Sequence, residues 1–181
     1  PKYFDKEKYD VRVMLPKYMC MKDEWKGKLQ YHTHFYMDLN WRKQYVGVLE
    51  MEYDGIKFYF IDNEYYFNGY APYGDMYADI EKFAFFSKAV LSALPLIDFR
   101  PDIIHCHDWQ TGLVPIYLDN FRYGNEFYRG IKTVMTIHNL KFQGTWDPKR
   151  VRDITGLPQY YFAPDKLEAY KDANYLKGGI V

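Results

Sequence analysis

At 181 residues the chain has room for one domain with a proper core, burying about two-thirds of its unfolded surface on folding. Its 24 basic and 24 acidic side chains cancel and are well mixed, which argues against nucleic acid as a partner. No apolar run approaches the ~18 residues of a membrane span, no signal peptide is visible, and Cys20 and Cys106 give no disulfide framework, so a cytoplasmic setting is expected.

In chain order, residues 1–9 read as the tail of a helix, and Val11 to Leu15 as a short strand stopped by Pro16. Residues 28–37 and 44–62 alternate in a strand-like way. Within the second stretch, Asp54-Gly55 separates Glu50-Met-Glu-Tyr53 from Ile56-Lys-Phe-Tyr-Phe60, a hairpin signal. Residues 62–75, rich in Asn, Gly, Pro and Tyr, read as loop. From Met76 to Leu94 apolar residues recur at helical spacing, and Pro95 marks the end. Two β-branched runs then end in histidine, Pro101-Asp-Ile-Ile-His-Cys-His-Asp-Trp109 and Ile131-Lys-Thr-Val-Met-Thr-Ile-His-Asn139. Each reads as a short, fully buried parallel strand, with residues 112–118 as the crossover helix between them. A looser helical tail is expected over residues 165–176. The class is α/β, a Rossmann-like parallel sheet with an antiparallel hairpin excursion. Tyrosine is abundant, 20 residues in all, which suits sugar platforms but also ordinary cores.

A strand–helix–strand crossover makes the two histidine-bearing strands run the same way, so their ends open at one sheet edge. Ligands of open α/β sheets bind at the carboxyl ends of the strands. His105, His107, Asp108, Trp109, His138 and Asn139 are therefore expected as neighbours. Three chemistries remain open at this point. His105 and His107 share a strand face and, with His138, could ligate a metal in a hydrolase. Asp108 and Trp109 could offer a carboxylate and a stacking ring to a sugar, or Asp108 could cap the following helix while Trp109 packs. A glucan-binding module without catalysis is the third. His32-Thr-His34 repeats the histidine spacing on an aromatic strand surface. No glycine-rich phosphate loop, Ser-His-Asp arrangement or cysteine nucleophile is legible.

The runs Pro101-Asp-Ile-Ile-His-Cys-His-Asp-Trp-Gln-Thr-Gly-Leu113 and Thr136-Ile-His-Asn-Leu-Lys-Phe-Gln-Gly144 resemble the signatures of bacterial glycogen synthases and plant starch synthases. Supporting stretches are Asp10 to Tyr18, Tyr73-Gly-Asp75, Phe83 to Ala89 and Leu176 to Val181, all in the family's order. The resemblance implies a GT-B glycosyltransferase that moves glucose from ADP-glucose to the non-reducing end of an α-1,4-glucan with retention, without a metal or other cofactor. It implies His138 and Asp108 as catalytic residues, and Trp109, Asn139, Gln143, Gly144 and Tyr73 as substrate-binding ones. Residues 1–181 would be part of the N-terminal domain. The family's Lys-x-Gly-Gly donor loop and its nucleotide-binding second domain have no counterpart here, so the chain alone is expected to be inactive. It is also expected to expose a sheet edge open to self-association.

Overall fold

A computed structural model describes all 181 residues, which divide into two compact units. The first comprises Pro1–Met37 and Gln44–Gly74; the second comprises Asp38–Lys43 and Asp75–Val181.

The first unit is built on strands β1 (Arg12–Pro16), β2 (Gln30–Leu39), β3 (Arg42–Tyr53) and β4 (Ile56–Asp62), with the short helix α1 (Asp23–Lys26) before β2 and α2 (Glu64–Phe67) after β4. The sheet order is β1-β4-β3-β2. β1 runs parallel to β4, and β3 pairs with β4 in antiparallel fashion with Tyr53 opposite Ile56. The turn is the expected Asp54-Gly55, with φ of 53° and 67°. Positive φ at both central residues gives the twist that a two-residue hairpin needs. The loop expected after β4 contains α2, because Asn63 caps it by accepting from Tyr66 N at 3.2 Å, and Tyr66 and Phe67 are buried. Residues 1–9 are not a helix but a run of turns, such as Tyr9 N to Asp5 O at 2.9 Å. All nine are exposed, and so short a segment has no helix without an apolar face to bury.

The second unit holds α3 (Met76–Ala93), β5 (Ile103–His107), α4 (Leu113–Arg122), β6 (Lys132–Thr136), β7 (Thr145–Trp146), α5 (Pro148–Thr155), β8 (Glu168–Ala169), β9 (Asp172–Asn174) and α6 (Tyr175–Gly178). Helix α3 is apolar almost all round and forms the centre of the unit, with Ile80, Ala84, Phe85, Ala89 and Leu91 at zero exposure. It packs against α4 and α5. Two tyrosine hydroxyls donate to its carbonyls, Tyr175 to Ile80 O at 3.1 Å and Tyr128 to Leu91 O at 3.0 Å. β5 and β6 pair in parallel, His105 opposite Val134 and His107 opposite Thr136.

Two expectations need correction here. β5 and β6 are not buried on both faces: Ile103 is 57% and Val134 46% exposed, and His105 and His107 are exposed too. The two strands form a two-stranded ladder, covered on the Cys106 face and open on the histidine face. A continuous β-branched run thus disguised an ordinary in–out alternation. Burial pushes the Cys106 thiol up to about 12, so it behaves as a small core hydrophobe. The expected helical tail over 165–176 is mostly the hairpin β8–β9, turned by Tyr170-Lys171 with φ of 54° and 74°, and helix α6 begins only at Tyr175.

The turn between β2 and β3, Asn40-Trp41, belongs to the second unit. Asn40 Nδ2 donates to Asp153 O at 2.6 Å, and Arg42 reaches Asp153 Oδ2 at 3.0 Å. Arg42 also approaches Glu81 at 3.8 Å, and Arg150 completes the group at 3.2 Å from the same carboxylate. The Arg42 bond, then that of Trp41, holds the Asp153 carboxyl below its ordinary range.

No helix is long and apolar enough to cross a membrane.

Candidate active site

The parallel ladder ends at His107, and the backbone then enters an unusual conformation. Asp108 has φ 56° and ψ −176°, a region reserved largely for glycine and costing about 1–3 kcal/mol in other residues. The expected alternative, that Asp108 caps the next helix, does not hold, since its side chain makes no capping bond. Its carboxylate reaches across to the end of β6 instead. Oδ1 accepts from His138 N at 2.7 Å and from Asn139 N at 3.2 Å. Thr111 braces the same turn: its hydroxyl accepts from His107 N at 2.7 Å and lies 2.9 Å from His107 O. Backbone strain on one strand end thus serves to hold the other.

His105 and His107 share the open face, as alternation requires, with rings 4.3 Å apart at 29°. His105 Nε2 lies 2.7 Å from Thr136 Oγ1 on the neighbouring strand. His107 Nδ1 lies 3.1 Å from His138 Nε2, with ring centroids at 5.3 Å and planes 22° apart. That geometry is two rings side by side in nearly one plane, joined by an in-plane hydrogen bond. Loss of solvation first, then repulsion from His105 and His138, lowers the His107 pKa from its ordinary 6.5, while Asp108 pulls weakly the other way.

These contacts speak against the metal reading. The His107 and His138 nitrogens point at each other across 3.1 Å rather than at a shared third point, and His105 is turned to Thr136. No group of three or more His, Cys, Asp or Glu side chains is arranged to hold an ion.

The remaining expected site residues fall into two kinds. Asn139 is exposed beside His138 and accepts from Lys141 N at 3.0 Å, which starts the following loop. Trp109 is only 4% exposed, packed against Phe83 at 5.0 Å and Tyr175 at 6.3 Å, so its indole has no open face for a sugar. Gly144 is buried against that indole, with φ 62°, and any Cβ there would strike the Trp109 ring. Gln143 spans the loop, accepting from Asn174 Nδ2 at 2.7 Å and donating to Leu140 O at 3.1 Å. Trp109, Gln143 and Gly144 thus form the pedestal beneath the exposed residues. Tyr73 belongs to the first unit and is 58% exposed; the cluster described here comes from the second unit alone. Sequence reasoning missed Thr111 and Thr136, whose roles depend on the register between strands.

The family model for the starch synthase catalytic domain matches residues 1–181, the whole chain. The chain is 69% identical over its full length to a glycogen synthase of Lachnoclostridium phytofermentans and 68% to one of Lachnospira eligens, spanning 38% of each. Among solved structures it resembles the catalytic domain of starch synthase IV from Arabidopsis thaliana, bound to ADP and acarbose. The TM-score is 0.79 at 26% identity, over 96% of this chain and 36% of that one. On the match of the complete chain, with the two histidine-bearing strands at its centre, this protein belongs to the starch synthase catalytic domain family.

Proposed function

We propose that residues 1–181 are part of the N-terminal domain of a GT-B glucosyltransferase that extends an α-1,4-glucan from ADP-glucose with retention. The observation that carries this reading is the presentation of His138. Its backbone N–H is held by Asp108 and its ring by His107, at the carboxyl ends of two parallel strands. The ADP and acarbose on the solved neighbour fit a nucleotide-sugar donor and a glucan acceptor. The two free cysteines, one exposed and one buried, suit a cytoplasmic enzyme. β5 and β6, each with a single neighbour, are the edges through which self-association would run.

Glucosyl transfer builds positive charge at the anomeric carbon while the diphosphate leaves with negative charge, and preorganised dipoles are the largest catalytic term for such a step. In this reading the His138 ring holds a hydroxyl of the donor glucose, with Asn139 beside it. Asp108 is given no place behind the anomeric carbon in this reading, because the contacts its carboxylate makes are those of Oδ1 with two backbone N–H groups. Its contribution is to fix where His138 stands. Groups that neutralise the diphosphate would come from outside these residues, so the 181-residue chain by itself would not transfer glucose.

The test is incorporation of labelled glucose from ADP-glucose into maltooligosaccharide by the full-length enzyme carrying this chain. Transfer with retention supports the reading. Hydrolysis without chain extension, or transfer by the 181 residues alone, overturns it.

A further inference from the structure

His107 stands between two other imidazoles, and its contacts to them differ. His105 lies over its face at 4.3 Å, itself tied to Thr136 Oγ1. His138 meets it edge to edge through Nδ1 and Nε2 at 3.1 Å. Thr136 lies opposite His107 in the strand register and two residues before His138. The contacts therefore close a loop, from β5 to β6 through His105 and Thr136, and back through His138 and His107.

We infer that His107 is a positioning residue for His138, holding its ring in one rotation and one neutral tautomer. The inference rests on the proposed contact between His138 and the donor glucose. A neutral imidazole carries one donor and one acceptor nitrogen. A hydrogen bond between His107 and His138 needs the proton on only one of the facing nitrogens. Whichever carries it, the character of His138 Nδ1 is then decided as well. A sugar hydroxyl can donate or accept, so the polarity of that nitrogen decides how the hydroxyl is oriented. An imidazole without such a partner exchanges between its tautomers and presents both polarities. The groups facing His107 are His105 on its own strand, His138 beyond β6 and Asp108 at the turn. Loss of solvation and the neighbouring rings lower the His107 pKa, which favours the neutral form that the bond requires of it.

The first experiment is nuclear magnetic resonance of the 15N-histidine-labelled full-length enzyme, without substrate. The expected result is a two-bond 15N–15N coupling between His107 Nδ1 and His138 Nε2, with His138 in a single tautomer. Absence of the coupling, or a mixture of tautomers, overturns the inference. Two variants then separate positioning from packing. H107F keeps a ring against His105 and loses the bond: His138 should become a tautomer mixture and kcat fall about 10–100-fold, with KM for maltooligosaccharide within about twofold. H107N places an amide nitrogen near the former Nδ1, and should recover one tautomer and most of kcat. H107F with a single His138 tautomer and kcat within about twofold of the parent overturns the inference. Normal turnover by H138A removes instead the glucose contact on which the inference rests. The substrate-free spectra judge His107 independently of that result, and the unsubstituted protein supplies them even if H107F does not fold.

Discussion

His32-Thr-His34 on β2 and His105-Cys-His107 on β5 have the same spacing, and each pair shares one face of its strand. Their surroundings differ. His32 lies 3.1 Å from Glu50 and edge-on to Tyr59, while His34 meets the Tyr31 hydroxyl at 2.6 Å and stacks on Tyr45 at 5.7 Å. Every one of those partners is on β2, β3 or β4 of the same sheet, within an aromatic surface. The β5 pair sits where a parallel ladder stops, and the next strand's end brings a third histidine and two backbone N–H groups to a strained carboxylate. Parallel strands align their ends and antiparallel strands do not. The same pair of residue types is thus part of a surface in one place and part of a site in the other.

The sharpest way to break that contrast is turnover. H138A in the full-length enzyme should lose about 10²–10³-fold in kcat with little change in glucan KM. H34A, on the other pair, should stay within about twofold of the parent. Comparable losses from both would end the distinction. The next effect is on stability. G144A drives a methyl group into the buried Trp109 ring at φ 62° and should cost about 1–3 kcal/mol in denaturant unfolding. G55A, in the β3–β4 turn at φ 67°, meets only the flexible end of Lys6 and should cost less. Equal losses would mean that Trp109 is not the pedestal that the site stands on.

A smaller effect is expected at Asp108. D108A leaves the His138 and Asn139 amides without their acceptor, costing about 1–2 kcal/mol and lowering kcat about tenfold or more. D108N keeps an oxygen for them and should recover most of the stability. If D108N is as unstable as D108A, the clamp is not what Oδ1 provides. The smallest effect concerns pH. His107 binds its proton less readily folded than unfolded, so below about 6.5 the unfolded state takes up more protons and stability falls as pH drops. Above that value the group contributes no slope. Urea midpoints at pH 7.5 and 5.5 should differ less in H107N than in the parent, and an unchanged difference would count against the stacked rings as its source.

Much of this was legible from local chemistry. The Asp54-Gly55 hairpin, the long apolar helix ending before Pro95, and the pairing of β5 with β6 across a crossover helix all follow from periodicity and turn residues. The family, too, was legible from motifs in register along the whole chain. Meeting of Asp108, His138 and Asn139 followed from strand direction alone.

What side chains did on arrival was not written locally. Trp109 could have lined a rim or packed, and only the presence of Phe83, Tyr175 and a glycine at 144 placed it inside. The run from Ile103 to His107 looked buried on both faces because its apolar residues could not say how many neighbours the strand would have. Residues 165–176 looked helical, but the Tyr170-Lys171 turn and the pairing of Glu168 with Ala173 make their middle a hairpin. The sequence by itself determined which residues reach the same sheet edge, because strand direction and side-chain alternation are local backbone properties. Only the tertiary structure decided which nitrogen faces which oxygen, because that depends on register and packing between segments about thirty residues apart.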